Sequence, residues 1–401
     1  MASDKLSPMS LAENRLSLFA RPATEPNPIK HSLTTAFRQL RCVWETRLHR
    51  YGRKSPPPTD KLPCGLIGAG SFFHYAYLPA LNRKNSPLLI SGILARNETT
   101  FRAAQRDLRY PVRRFPSLDA IREAGANSVL ILAPNHLHFD YARQALATGL
   151  NVFCEKPLAH NVADALELKS IAQQTGRVLM VDFNQRYLDR NRVLKRVIAE
   201  SRIGKITSVR AYHNQNLAGQ PHALTRLPKN VTGGGAVHNA GIHFINLFHH
   251  WFGAVDRVHA IFENRALPLE CGEDTAFCRF WFRNGVTATL EASLANAVAT
   301  TYERVHFIGE QGEITSDLKK GDIQCQPGGN QRLKIDCKKE VISDSVFTAL
   351  QRFERCVATG TRPETDVNDF IETMKVVEAL TLSAQRGADV QLDELERNYA
   401  G

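Results

Sequence analysis

Between residues 62 and about 185, short apolar and β-branched runs at 62–67, 88–94, 128–133, 151–154 and 178–182 alternate with stretches of helical periodicity. Such alternation predicts parallel strands joined by crossover helices. Farther on the pattern changes. The runs 209–214, 257–262, 276–283, 286–293 and 304–308 alternate or stay apolar, and the segments between them are too short in helix for parallel crossovers. Asn284-Gly285 between two of these runs is a strong hairpin signal. Helices are expected before this second sheet near 190–201 and 236–252, and after it near 343–359 and 366–385. The expected fold class is α/β: a doubly wound parallel domain over 61–185, then an α+β domain over 186–401 with a largely antiparallel open sheet.

Residues 1–60 read differently from both. Pro8, Pro22, Pro26 and Pro28 break the first 32 residues into irregular chain. From Leu33, the residues Phe37, Leu40, Trp44, Leu48 and Tyr51 recur at helical spacing among Arg38, Arg41, Arg47 and Arg50, and the pattern stops at Gly52. This predicts a basic amphipathic helix, followed by a stiff linker at Ser55-Pro56-Pro57-Pro58. The helix suits a membrane surface or a partner, or it packs on its own subunit with the arginines in water. The second reading is favoured, because any surface helix shows an apolar stripe of this width.

Composition narrows the function classes. With 401 residues the chain can build two cores, and its 43% hydrophobic and 23% charged content is that of an ordinary globular protein. No apolar run approaches the roughly 20 residues a membrane span requires. The start, with Asp4 and Glu13, lacks the basic-then-apolar order of a secretory signal, which points to the cytoplasm. The eight cysteines include no CxxC pair, so neither a disulfide framework nor a metal site is expected. Net charge is +11, and residues 1–60 contribute to it with ten Lys or Arg against five Asp or Glu. No nucleic-acid recognition module accompanies that excess, so nucleic acid is not an expected partner.

The first strand runs into Gly68-Ala69-Gly70-Ser71-Phe72-Phe73. Gly68 permits a tight turn, and Gly70 lets backbone approach a pyrophosphate held at the next helix N-terminus, as in a Rossmann dinucleotide site. Phe73 stands where a third glycine or alanine is usual. The second strand ends in Ala95-Arg96-Asn97, so Arg96 takes the place where an NAD-preferring site offers a carboxylate to the ribose. A guanidinium there can pair with the extra phosphate of NADP, which favours NADP over NAD; its rival role is that of a solvated loop arginine.

Two further segments, Ala133-Pro134-Asn135 and Glu155-Lys156-Pro157, fall at carboxyl ends of strands, where open α/β sheets bind ligands. Together with Tyr77-Leu78-Pro79-Ala80-Leu81, His138, Phe183-Asn184-Gln185-Arg186-Tyr187, Gly233-Gly234-Gly235 and Asn239-x-x-x-His243, they make the chain resemble the glucose-fructose oxidoreductase, inositol dehydrogenase and rhizopine-catabolism (Gfo/Idh/MocA) family from about 62 to 392. The resemblance implies a nicotinamide-dependent oxidoreductase of a sugar, polyol or sugar nucleotide, with Lys156 and His243 facing the carbon that exchanges hydride. It also implies a homo-oligomer paired through the face of the second sheet.

The chemistry agrees with those two residues. Removing a hydroxyl proton suits a histidine of pKa about 6.5, whereas a lysine near 10.4 better serves as the cation polarising oxygen. His243 is therefore the expected general acid/base and Lys156 the polarising group, although the roles can be exchanged. Asn239 shares a helix face with His243 and can orient substrate but cannot take a proton. Asparagine there resembles the branch that oxidises carbon 3 of UDP-linked N-acetylhexosaminuronic acids, while Asn246 departs from that pattern. Arg186 and Tyr187 are candidate substrate contacts with interdomain packing as their rival role. Asn135 and His138 are candidate cofactor contacts or caps of the following helix. Glu155 and Lys156 join Gly68, Gly70, Ser71, Phe72, Ala95, Arg96, Asn97, Ala133 and Pro134 in the expected cofactor site. A second class of function also fits this fold, a non-catalytic NAD(P)-binding regulator like the galactose-pathway co-repressor, but such a protein has no need of both Lys156 and His243.

Overall fold

The computed structural model describes residues 60–217, 233–267, 269, 272–296, 302–317, 321–329 and 332–399. The expected N-terminal helix and its proline linker lie outside the described residues. The first sheet contains β1 (Leu62–Ile67), β2 (Leu88–Leu94), β3 (Arg113–Arg114), β4 (Ser128–Ile131), β5 (Asn151–Glu155) and β6 (Leu179–Asp182). They lie in the order β3-β2-β1-β4-β5-β6, every pair parallel. Strand order reverses between β1 and β4, and the crevice at that switch point is where this architecture binds dinucleotides.

Helices α1 (Leu78–Leu81), α2 (Glu98–Asp107), α3 (Leu118–Glu123), α4 (His138–Ala147) and α5 (Val162–Thr175) connect these strands. Short polar side chains start several of them. Asn97 Oδ1 accepts the Thr100 amide at 2.8 Å to open α2, and Asn161 Oδ1 accepts the Asp164 amide at 2.8 Å to open α5. β4 ends at Ile131, two residues earlier than the apolar run at 128–133 suggests, and Pro134, lacking an N–H, cannot extend the ladder.

The second sheet has nine strands: β7 (Ile206–Asn214), β8 (Val255–Glu263), β9 (Thr275–Phe282), β10 (Thr287–Ser293), β11 (Tyr302–Gly309), β12 (Gly312–Asp317), β13 (Asp322–Pro327), β14 (Leu333–Ile335) and β15 (Val390–Gln391). Their order is β14-β13-β12-β11-β7-β10-β9-β8-β15, antiparallel except for the β7–β10 pair. The Asn284-Gly285 hairpin joins β9 to β10, with Gly285 at φ +88°. The last three meander strands carry too few apolar residues to stand out in the sequence.

Among the described residues the second half of the chain has the helices α6 (Asp189–Ala199), α7 (Ile242–Phe252), α8 (Ile342–Thr359), α9 (Val367–Arg386) and α10 (Leu392–Tyr399). The apolar face of α7 lays Phe248, Trp251 and Phe252 on the rings of Phe280, Phe282 and Phe307. Trp281 points to the opposite face of β9, between the guanidinium groups of Arg257 and Arg279 at 4.2 and 4.6 Å. A boundary at residue 185 separates the two sheets but not the helices. Val346, Phe347, Leu350 and Phe353 of α8 return to share one buried cluster with Tyr77, Leu81, Phe153 and Met180 of the parallel domain. The Phe153 and Phe353 rings meet edge to face at 5.5 Å.

Candidate active site

The glycine turn after β1 is shaped by two different demands. Gly68 has φ +82°, and a Cβ there would lie 2.8 Å from the backbone of Leu132 and Ala133, so the β1 and β4 ends can approach only through a glycine. At Gly70 a Cβ would meet nothing within 4 Å. Gly70 and Ser71 are exposed and Phe72 half-buried, so the turn presents open backbone to solvent. The chain then winds through a widened π turn, Phe73–Tyr77, which buries the Phe73 ring in the position a small residue commonly fills. Open backbone beside a helix start fits a pyrophosphate, so the residues present suit a dinucleotide.

At the end of β2 the Ala95 residue is buried, whereas Arg96 and Asn97 are exposed. Asn97 spends its side-chain oxygen on the α2 cap. Glu98 is paired with Arg102 at 2.6 Å and Arg114 at 2.9 Å, so the one nearby carboxylate is already neutralised. Among the described residues Arg96 has no ion-pair partner.

Lys156 stands just beyond β5, at a cis peptide to Pro157. Its Nζ donates to the Asn239 carbonyl at 2.8 Å. That carbonyl belongs to a second π turn, Val237–Gly241, which leads directly into α7 and His243. Widened turns of this kind re-aim backbone groups and recur at functional sites. The Asn239 amide donates to the Gly234 and Gly235 carbonyls at 3.1 and 2.9 Å, which fixes the turn. Behind it, Glu273 accepts the Ala236 amide on its backbone oxygen and the Val237 amide on its carboxylate, each at 2.7 Å. A Cβ on Gly235 would come within 2.1 Å of that Glu273 oxygen.

The electrostatics suit proton transfer. Burial, then the Lys156 ammonium and the His213 ring, hold His243 well below the ordinary histidine range. Its Nδ1 is buried and has no hydrogen-bond partner among the described residues. Burial also lowers the Lys156 pKa, opposed by Glu155 and Asp182. A neutral imidazole thus lies within electrostatic reach of a cation.

Matches to known proteins agree with this geometry. Residues 62–183 match the model described as the oxidoreductase family, NAD-binding Rossmann fold, and residues 191–315 match the GFO/IDH/MocA C-terminal domain. The chain belongs to the Gfo/Idh/MocA oxidoreductase family. It is 26% identical to D-xylose 1-dehydrogenase (NADP(+)) 2 of Haloferax volcanii, over 82% of this chain and 99% of that protein. It is 27% identical to D-glucoside 3-dehydrogenase of Escherichia coli, over 66% and 79% of the two chains. The fold superposes on the aldose-aldose oxidoreductase of Caulobacter crescentus with a TM-score of 0.74 at 21% identity, covering 82% of this chain and 99% of that one. As a Gfo/Idh/MocA protein, the chain is an NAD(P)-dependent oxidoreductase acting on CH–OH groups, of the sugar and polyol dehydrogenase type.

Other residues singled out in the sequence have their side chains committed elsewhere. Arg186 donates to Asp369 at 3.0 Å and to Asn246 at 3.3 Å, and the Tyr187 hydroxyl meets Thr365 at 2.9 Å; both residues are buried and anchor the start of α9. Asn246 is the hub of that anchor, donating to Asp369 and Thr373. The His138 ring, fully buried, lies between the Pro157 and Ala133 carbonyls at 2.7 and 2.8 Å, so it ties the loops after β4 and β5 together instead of capping α4. Glu155 is likewise turned inward, to Tyr77 and to the Lys156 amide.

His213 and Glu273 are neighbours of the candidate site that sequence reasoning missed. The His213 ring stacks on that of His243 at 6.1 Å between centroids, and its Nε2 lies 3.5 Å from Glu303. A signal existed: His213 continues the inward alternation of Val209 and Ala211 along β7, where an apolar residue would be expected. Among the described residues no group of metal-ligating side chains occurs and no helix is long and apolar enough to cross a membrane.

Proposed function

We propose that the protein transfers hydride between NADP and a hydroxyl of a sugar or sugar nucleotide, with His243 as general acid/base and Lys156 as the cation on the reacting oxygen. The observation that carries this reading is the Lys156 ammonium bonded to the turn at Asn239 and close enough to the His243 ring to depress its pKa. The substrate hydroxyl gives its proton to the His243 imidazole, which is neutral at pH 7 because its pKa is depressed. Lys156 trades its bond to the Asn239 carbonyl for one to the developing alkoxide. NADP, when bound, supplies the hydride acceptor. Asn239 keeps the turn in register while its backbone oxygen parks the ammonium between turnovers. Exposed, unpaired Arg96 supports NADP over NAD, and the name of the NADP-dependent xylose relative points the same way. Carbon 3 of the sugar ring is the favoured position, an assignment drawn from Asn239 and from the glucoside 3-dehydrogenase relative.

The test is reduced-nicotinamide absorbance with a panel of aldoses, glucosides and UDP-linked hexosaminuronic acids, using NADP and NAD in parallel. Turnover with NADP on members of this panel is expected, with an acid limb in kcat/KM lying below the ordinary histidine value of about 6.5. His243→Gln should be slow and lack that limb. Absence of turnover on the whole panel by protein shown to bind NADPH would overturn the substrate class, and an unchanged acid limb in His243→Gln would remove His243 as the base.

A further inference from the structure

Glu155 and Asp182 are register partners at the carboxyl ends of the adjacent parallel strands β5 and β6. The Tyr77 hydroxyl, brought in at the end of the first π turn, lies 2.8 Å from Glu155 Oε1 and 2.5 Å from Asp182 Oδ2. All three residues are at most 6% exposed. A phenol has one proton and can donate to only one of two carboxyl oxygens. If both carboxyls were ionised, the other short contact would set oxygen lone pairs against each other, between two buried like charges. A proton on one carboxyl removes both conflicts.

The remaining partners say where that proton sits. Glu155 Oε2 accepts the Lys156 amide at 3.0 Å, so with Tyr77 donating to Oε1 both Glu155 oxygens are satisfied as an ionised carboxylate. Asp182 Oδ1 is buried without a hydrogen-bond partner among the described residues, a cost that falls when the group is neutral. We propose that Asp182 is held protonated and donates to the Tyr77 oxygen while Tyr77 donates to Glu155, so that the array keeps one negative charge beneath Lys156 and Asp182 and Tyr77 act as positioning residues. This rests on Lys156 acting as a cation. One carboxylate against one ammonium is the matched count; two would leave a buried negative charge, and none would leave Lys156 without a counter-ion.

The groups facing the array do not disturb this count. Burial raises the Cys154 thiol, with Glu155 and Asp182 adding to the effect, and burial raises the Tyr187 phenol, so both stay neutral. Burial raises both carboxyls, the Glu155 charge adds to the effect at Asp182, and Lys156 opposes it at both.

The experiment compares two isosteres, Asp182→Asn and Glu155→Gln, with the full-length enzyme. The asparagine amide mimics the neutral acid, donating to Tyr77, so the alkaline limb of kcat, where Lys156 loses its proton, should stay at the wild-type position. Glu155→Gln removes the sole negative charge, so that limb should move to lower pH by a unit or more, about tenfold in the Lys156 proton equilibrium. Infrared difference spectra of wild type minus Asp182→Asn at pH 7 should contain the carbonyl stretch of a protonated carboxyl. Equal shifts of the limb in both variants, or the absence of that stretch, would overturn the shared proton. The stretch together with an unmoved limb in Glu155→Gln would uphold the protonated Asp182 and overturn the polarising role of Lys156 instead.

Discussion

Two glycine turns frame the reacting centre, and they use the missing side chain for opposite ends. At Gly70 a Cβ would project into empty space, whereas at Gly235 it would run into the Glu273 backbone at 2.1 and 2.3 Å. The first turn is kept bare so that something outside the chain can approach it. The second is bare because the chain itself has already arrived, pressing Glu273 against the amides of Ala236 and Val237. On the proposed reading one glycine serves binding, and the other serves the geometry that brings the Asn239 carbonyl to Lys156.

The contrast can be broken most severely at the closed turn. Gly235→Ala cannot be accommodated by a rotamer change because the atoms it meets are backbone, so a loss of about 3 kcal/mol or more of stability is expected, with turnover lost in parallel. Thermal unfolding of wild type and variant checks this; an unchanged melting temperature would mean that the turn is loosely held.

An intermediate effect is expected at the rim of the open site. Arg96→Asp removes a cation and installs a repelling charge, so NADPH affinity should fall by about 10- to 150-fold, the worth of one charge-assisted hydrogen bond of about 1.5–3 kcal/mol. Titration with NADPH and NADH reads the change in preference. If both affinities stay the same, Arg96 is a solvated loop residue and the NADP assignment fails.

The smallest change in stability belongs to the open turn itself. Gly70→Ala meets no atom and needs no left-handed backbone, so stability should hold or rise by about 0.4–1 kcal/mol. Cofactor affinity should nevertheless fall about tenfold or more, because the methyl group occupies ligand space. Unfolding and titration on the same sample test both halves, and unimpaired affinity would move the pyrophosphate elsewhere.

Much of this frame was legible in the sequence. The alternation before residue 185 announces the parallel sheet because buried strands and crossover helices have different periods. Asn284-Gly285 announces its hairpin because both residues tolerate positive φ. Lys156 and His243 could be singled out by type and place, and the structure brings both to the turn at Asn239. What remained hidden depends on distant partners. Nothing local distinguishes Gly70 from Gly235, since the difference lies in Glu273 arriving from the segment that leads into β9. Arg186 and Tyr187 look like ligand contacts until α9 supplies Asp369 and Thr365. The π turns at Phe73–Tyr77 and Val237–Gly241 have no periodic signature, being single-turn departures inside helical stretches. Nor could α8 be assigned to the parallel domain, because an amphipathic face does not name the sheet it covers.

In the proposed mechanism Lys156 acts in the transition state and not in holding the cofactor, and the Lys156→Ala variant separates the two roles. NADPH affinity by fluorescence titration and kcat by absorbance should be measured on one preparation. The account predicts a kcat lower by about 10²–10³-fold with NADPH affinity within twofold of wild type, as for loss of a group stabilising a developing oxyanion. A variant that turns over at the wild-type rate, or one whose only defect is weakened NADPH binding, would contradict it.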